Sequence, residues 1–161
     1  MTDTPALRDW HSLQGEIAPG SVIVASTGAG AFEQALLDGR HVLTADEPAA
    51  AGGGDAGPGP YELLLMALGA CTSMTVKMYA ARKRWPLEGV EVRLHHGKVY
   101  DRDCADCENK NAMIDRIERS LRLSGPLSDE QRARLLEIAD KCPVHRTLTS
   151  RIDIRTVLDP A

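Results

Sequence analysis

Aromatic residues are scarce in this chain: they make up 4% of its 161 residues, and Phe32 is the single phenylalanine. A core must therefore be assembled from Leu, Ile, Val, Ala and Met. Excess positive charge is missing too. The formal net charge is −4, which argues against a nucleic acid or an anionic membrane as partner. The opening MTDTPALRDWHSLQGEIAPG has neither a basic n-region nor an apolar h-region, so no secretory signal is expected. The longest apolar run, from Leu63 to Val76, covers 14 residues and falls short of a membrane span. The expected location is the cytoplasm. No internal repeat is evident.

What is present is ordinary globular composition, with 43% apolar and 26% charged residues. Disordered, collagen-like and disulfide-scaffold classes are excluded. Two separate cores would leave roughly 80 residues each, which is marginal, so one domain over 20–161 is expected, preceded by an arm over 1–19.

Ser21 to Ser26 is rich in β-branched residues and reads as a strand. Asp38-Gly39 is a hairpin signal that pairs 32–37 with 40–45. Residues 46–59, DEPAAAGGGDAGPG, form a long loop of a kind that is usually functional or mobile. Pro60 then opens a helix, with Glu62 in its first turn, which runs to about Lys83 and is stopped by Pro86. Its Leu63 to Val76 stretch is apolar or small all round, which predicts burial on every side. Gly69 and Ala70 would allow another backbone to come close.

Leu87 to Val99 alternates as a strand. Met113 to Leu123 fits either a helix (Ile114, Ile117, Leu121) or an exposed strand. Ser128 to Lys141 reads as a capped helix, Cys142-Pro143 opens a new turn, and Arg151 to Leu158 alternates as a final strand. Strands grouped before helices give an α+β class with a mixed or antiparallel sheet.

The four cysteines, Cys71, Cys104, Cys107 and Cys142, lie in a chain expected in a reducing compartment, where chemistry is a more frequent use for thiols than disulfide scaffolding. Cys71 sits mid-helix in the apolar run, where a thiol can equally be a small hydrophobe. Cys142 directly precedes Pro143 and so occupies a helix N-cap, where unpaired N–H groups stabilise a thiolate. Cys104-x-x-Cys107 is a lone CxxC. His95 and His96 could complete a metal set, but their spacing does not require it. Its acidic neighbours Asp101, Asp103, Asp106 and Glu108 would raise a thiol pKa rather than lower it.

The pattern GPGPYELLLMALGAC over 57–71, followed by DKCPV over 140–144, resembles the OsmC/Ohr family from about residue 20 to the end. With DEP at 46–48, DCADCE at 103–108 and CPVHRTL at 142–148, the chain looks most like the branch found behind α/β-hydrolase domains. The resemblance implies an intertwined homodimer with long central helices packed against curved mixed sheets and active sites at the subunit interface. It also implies reduction of organic hydroperoxides, with Cys71 peroxidatic and Cys142 resolving.

Two positions depart from the family pattern. The Glu expected just after the helix-opening Pro is Tyr61 here, with Glu62 one residue later. The hairpin Arg falls at Gly30, and Arg40 is the nearest substitute. On an ideal helix Glu62 and Cys71 point to opposite sides.

The leading expectation is a thiol peroxidase with Cys71, Cys142 and Glu62 as its site. It would use a small hydroperoxide substrate, an external dithiol reductant, and no cofactor or metal. Alternatives are a non-enzymatic redox-sensing or small-molecule-binding protein, favoured by the unmatched Arg and Glu, and a metal-binding protein built on Cys104 and Cys107.

Overall fold

A computed structural model describes residues 10–100 and 113–158, so Cys104 and Cys107 lie outside the described residues. The chain divides into two compact units, Met1–Leu63 and Leu64–Ala161.

The first unit carries the short helix α1 (Trp10–Leu13) and a three-stranded antiparallel meander, β1 (Ile23–Ser26), β2 (Gln34–Leu37) and β3 (Val42–Ala45). Ala35 and Leu37 of β2 are buried, as a central strand's alternation demands. The Asp38-Gly39 hairpin is present: Leu37 pairs with Val42, and Gly39 takes φ +88°, a left-handed turn conformation. The Asp38 carboxylate accepts the Arg40 and His41 N–H groups at 2.9 and 2.6 Å and closes the turn.

Residues 46–59 form the expected long loop, with one 3-10 turn at Ala49–Ala51, and it is tied down by hydrogen bonds. Buried Asp46 accepts the N–H groups of Glu47, Gly54 and Ala56 at 2.8, 2.8 and 3.2 Å. At Gly57 an added Cβ would come within 2.2 Å of the Thr44 carbonyl, so the glycine is needed for close backbone approach rather than for mobility.

Helix α2 (Pro60–Lys83) has Pro60 at its start, Glu62 in the first turn, and Arg82 and Lys83 in the last, each favourable to the helix dipole. In the second unit it packs with α3 (Asp129–Ala139) on the long antiparallel ribbon of β4 (Gly89–Tyr100) and β5 (Met113–Ser124). The core joins Val76 and Ala80 of α2 to Leu135 and Ala139 of α3, with Leu127 beside them. Tyr79 and Trp85 meet edge to face at 5.7 Å beside this cluster. Gly69 admits the Leu94 side chain of β4: a Cβ there would lie 2.9 Å from Leu94 Cδ1. Ser128 caps α3 through a reciprocal box with Gln131.

The structure resolves one open reading and corrects one expectation. The 113–123 ambiguity resolves as strand, because β5 pairs with β4 over its whole length, Gly89 with Ser124 through Tyr100 with Met113. Arg151 to Leu158 is not a strand here. It has no ladder partner among the described residues, and Ile154, Val157 and Leu158 are exposed. Within the single chain, Leu68, Gly69, Thr72, Val76 and Ala80 of α2 are covered, while Met66, Met74 and Met78 face outward. By length and composition α2 would pass as a membrane span, since the full helix outruns its 14-residue apolar stretch. Its inner face, however, packs on a ribbon and a second helix as in a core.

Candidate active site

Cys142 is fully buried and is the N-cap residue of α4 (Pro143–Leu148), with Pro143 opening the helix. The His145 backbone N–H donates to Cys142 Sγ at 3.3 Å. Thr72 Oγ1, from α2, lies 3.6 Å from the same sulfur. The Cys71 thiol, one residue before Thr72 on α2, lies near enough to act on that sulfur, and both cysteines are free. The two motif cysteines, widely separated in sequence, are thus neighbours.

A cation completes the cluster. Arg119 of β5, its side chain only 11% exposed, donates from Nη1 to Thr72 Oγ1 at 2.8 Å and from Nη2 to Asp140 Oδ1 at 2.6 Å. Thr72 in turn donates to the Leu68 carbonyl at 2.8 Å. Its oxygen also accepts from the guanidinium, and its single hydrogen can turn from the Leu68 carbonyl to the sulfur when Cys142 is a thiolate.

Burial pushes the Cys142 thiol up. The His145 N–H, the Thr72 hydroxyl, the Cys71 thiol and the Arg119 charge act against it, and together they hold it below the ordinary thiol range. A cleft of about 390 Å³ opens beside this group, lined by Leu68, Ile117, Arg119, Asp140, His145 and Leu148. Its walls mix aliphatic and charged side chains.

Glu62 belongs to the first unit, exposed in the opening turn of α2, with its carboxylate turned back over Gly59. Arg40 also belongs to that unit, in the hairpin turn. His95 and His96 are successive positions on β4 and so face opposite sides of the ribbon, which prevents both from serving one metal. His96 Nε2 is 2.9 Å from Asp115 Oδ1. No cluster of three potential metal ligands occurs among the described residues.

Sequence reasoning missed Thr72 and Arg119. A signal for the second exists: Arg119 falls in the inward series Ile117, Arg119, Leu121, Leu123, where an arginine requires a partner.

The OsmC-like protein family model matches residues 52–157, about two thirds of the chain. The chain belongs to the OsmC-like family. Solved structures share the OsmC-like fold. An OsmC-like protein from Mycoplasma pneumoniae superposes with a TM-score of 0.61 at 17% identity, covering 80% of this chain and 85% of that one. The organic hydroperoxide resistance protein OsmC from Legionella pneumophila gives 0.58 at 18% identity, over 84% and 94%. OhrB of Bacillus subtilis, an organic hydroperoxide resistance protein, gives 0.57 at 19% identity, over 84% and 96%. No curated protein is significantly similar to the chain. The α+β class with antiparallel sheets agrees with these OsmC-like structures.

Proposed function

We propose that this OsmC-like protein is a thiol peroxidase that reduces organic hydroperoxides through Cys71 and Cys142. The observation that carries this reading is the adjacency of two free thiols, one partly accessible and one fully buried, with an arginine beside them. The names of the Legionella and Bacillus relatives support it.

In this mechanism the Cys71 thiolate attacks the O–O bond of the hydroperoxide. The alcohol leaves with a proton, and Cys71 becomes a sulfenic acid. Cys142, as thiolate, attacks that sulfur, water departs, and a Cys71–Cys142 disulfide remains. An external dithiol then returns both sulfurs to thiols and is itself oxidised to a disulfide. Turnover therefore requires a compartment that supplies dithiol, which the cytoplasm does. Glu62, the third residue expected in the site, is assigned no step in this scheme.

The same reading makes the protein a homodimer. Support comes from the outward Met66, Met74 and Met78 of α2 and from the exposed apolar residues of 151–158, which leave more apolar surface bare than a lone chain usually tolerates.

The deciding measurement is consumption of cumene hydroperoxide by the purified protein with dithiothreitol or dihydrolipoamide as reductant. Turnover lost in Cys71→Ser supports the reading. No consumption by the parent protein under either reductant overturns it and favours a sensing or binding role.

A further inference from the structure

Arg119, its side chain mostly buried, is the cation hydrogen-bonded to Thr72 beside the cysteines, and the family resemblance assigned it no role. Its two hydrogen bonds run to different parts of the fold. Thr72 is the residue after Cys71 on α2, and Asp140 lies two residues before Cys142 at the end of α3. We propose that Arg119 is the positioning residue of the cysteine pair: its forked guanidinium ties the Cys71 segment to the Cys142 segment and presents the positive charge that faces the Cys142 sulfur. This rests on reading the two cysteines as a redox couple, and it adds the part that holds them in register.

Geometry favours arginine here over any other cation. The guanidinium is planar with separated donors, so one side chain satisfies Thr72 at 2.8 Å and Asp140 at 2.6 Å at once. A lysine ammonium reaching from β5 would serve one acceptor or the other as a compact point charge.

The groups around Cys142 can be named element by element. The α2 helix supplies Cys71 and the Thr72 hydroxyl, β5 supplies Arg119, and α4 supplies His145. Asp140 and Lys141 precede it in the chain. Asp140 is mostly solvated, whereas Arg119 is mostly buried, so the arginine's charge is the less screened of the two at the sulfur.

The test uses two parents. The first is a chain whose sole cysteine is Cys142, made with Cys71→Ser, Cys104→Ser and Cys107→Ser, in which thiolate ultraviolet absorbance is followed against pH. The expected result is an upward move of the midpoint in Arg119→Met and a smaller one in Arg119→Lys, which keeps the charge. A merely structural prop would lower the melting temperature and leave the midpoint in place, and that result overturns the proposal.

The second parent is the full chain, with Cys71–Cys142 disulfide formation timed after addition of diamide. Arg119→Lys and Thr72→Val, which each cut one arm of the bridge, should slow it by on the order of tenfold, the scale of a small misplacement of reacting groups. An unchanged rate in both variants overturns the proposal. Should Arg119→Met fail to fold, the Arg119→Lys and Thr72→Val measurements decide alone. Neither readout uses a hydroperoxide, so a parent that bridges with diamide yet consumes no peroxide refutes the peroxidase reading and leaves the role of Arg119 to be judged separately.

Discussion

Thr72 and Cys142, 70 residues apart in sequence, meet with Oγ1 and Sγ 3.6 Å apart in a fully buried contact. The threonine is the hub of the site: it bonds the Leu68 carbonyl, receives Arg119 and touches the sulfur. Chemistry and stability are therefore coupled at one hydroxyl.

Thr72→Val keeps the shape and removes the hydroxyl, leaving a buried guanidinium N–H without its acceptor. The expected loss is about 1–3 kcal/mol of unfolding free energy, with Thr72→Ser close to the parent. Urea denaturation of the three proteins checks this. Equal stability of all three would mean that Arg119 finds another acceptor.

The cysteines should differ in the kind of failure they produce. Cys71→Ser should abolish hydroperoxide turnover, because no other group in the pair takes the oxygen. Cys142→Ser should still permit one reduction per site and then stall, or over-oxidise at excess peroxide, because no disulfide can form. Cys104→Ser and Cys107→Ser should leave turnover nearly intact. Single-turnover kinetics with mass spectrometry of the Cys71 peptide separates these cases, and equal partial losses in all four variants would point away from a peroxidatic and resolving pair.

The pH dependence of stability has a definite sign. Cys142 is held below its ordinary thiol value in the folded state by the groups that outweigh its burial. Its contribution is therefore complete above the unfolded-chain value of about 8.5 and is lost as pH falls through the lowered folded value. The stability of the parent relative to Cys142→Ser should rise with pH across that window and level off above it. Unfolding free energies measured at several pH values test this; a flat or falling difference would contradict it.

Association is tested on the outer face of α2. Met74→Lys places a charge in the methionine stripe, and a homodimer built on that face should dissociate or fail to accumulate as folded protein. Sedimentation of the parent as a stable folded monomer at micromolar concentration would remove the dimer from the reading.

Much of the fold was legible because its signals are local. Asp38-Gly39 specifies a turn through side-chain hydrogen bonds and a positive φ, and Pro60, Ser128 and Pro143 mark helix starts through groups within one turn. The two cysteine motifs were legible for the same reason, each being a short run of residues with its own chemistry. Non-local pairing was not. Met113 to Leu123 carries both periodicities, and only the ladder to β4 selects the strand. Arg151 to Leu158 carries the strand alternation without a partner strand, and alternation alone makes no hydrogen bonds.

The composition of DEPAAAGGGDAGPG marked a long loop, functional or mobile. Order there comes from one carboxylate collecting three backbone N–H groups and from glycines that let the chain pass close to β3. By itself, then, the sequence determined that Cys71 lies on an apolar helix and that Cys142 caps another. Tertiary structure alone decided that the two thiols are neighbours and that Arg119, from a strand between them in sequence, supplies the cation. The reason is physical: a side chain's charge reaches a few ångströms, and which charges stand that close to a buried sulfur is set by how strands and helices pack, not by their spacing along the chain.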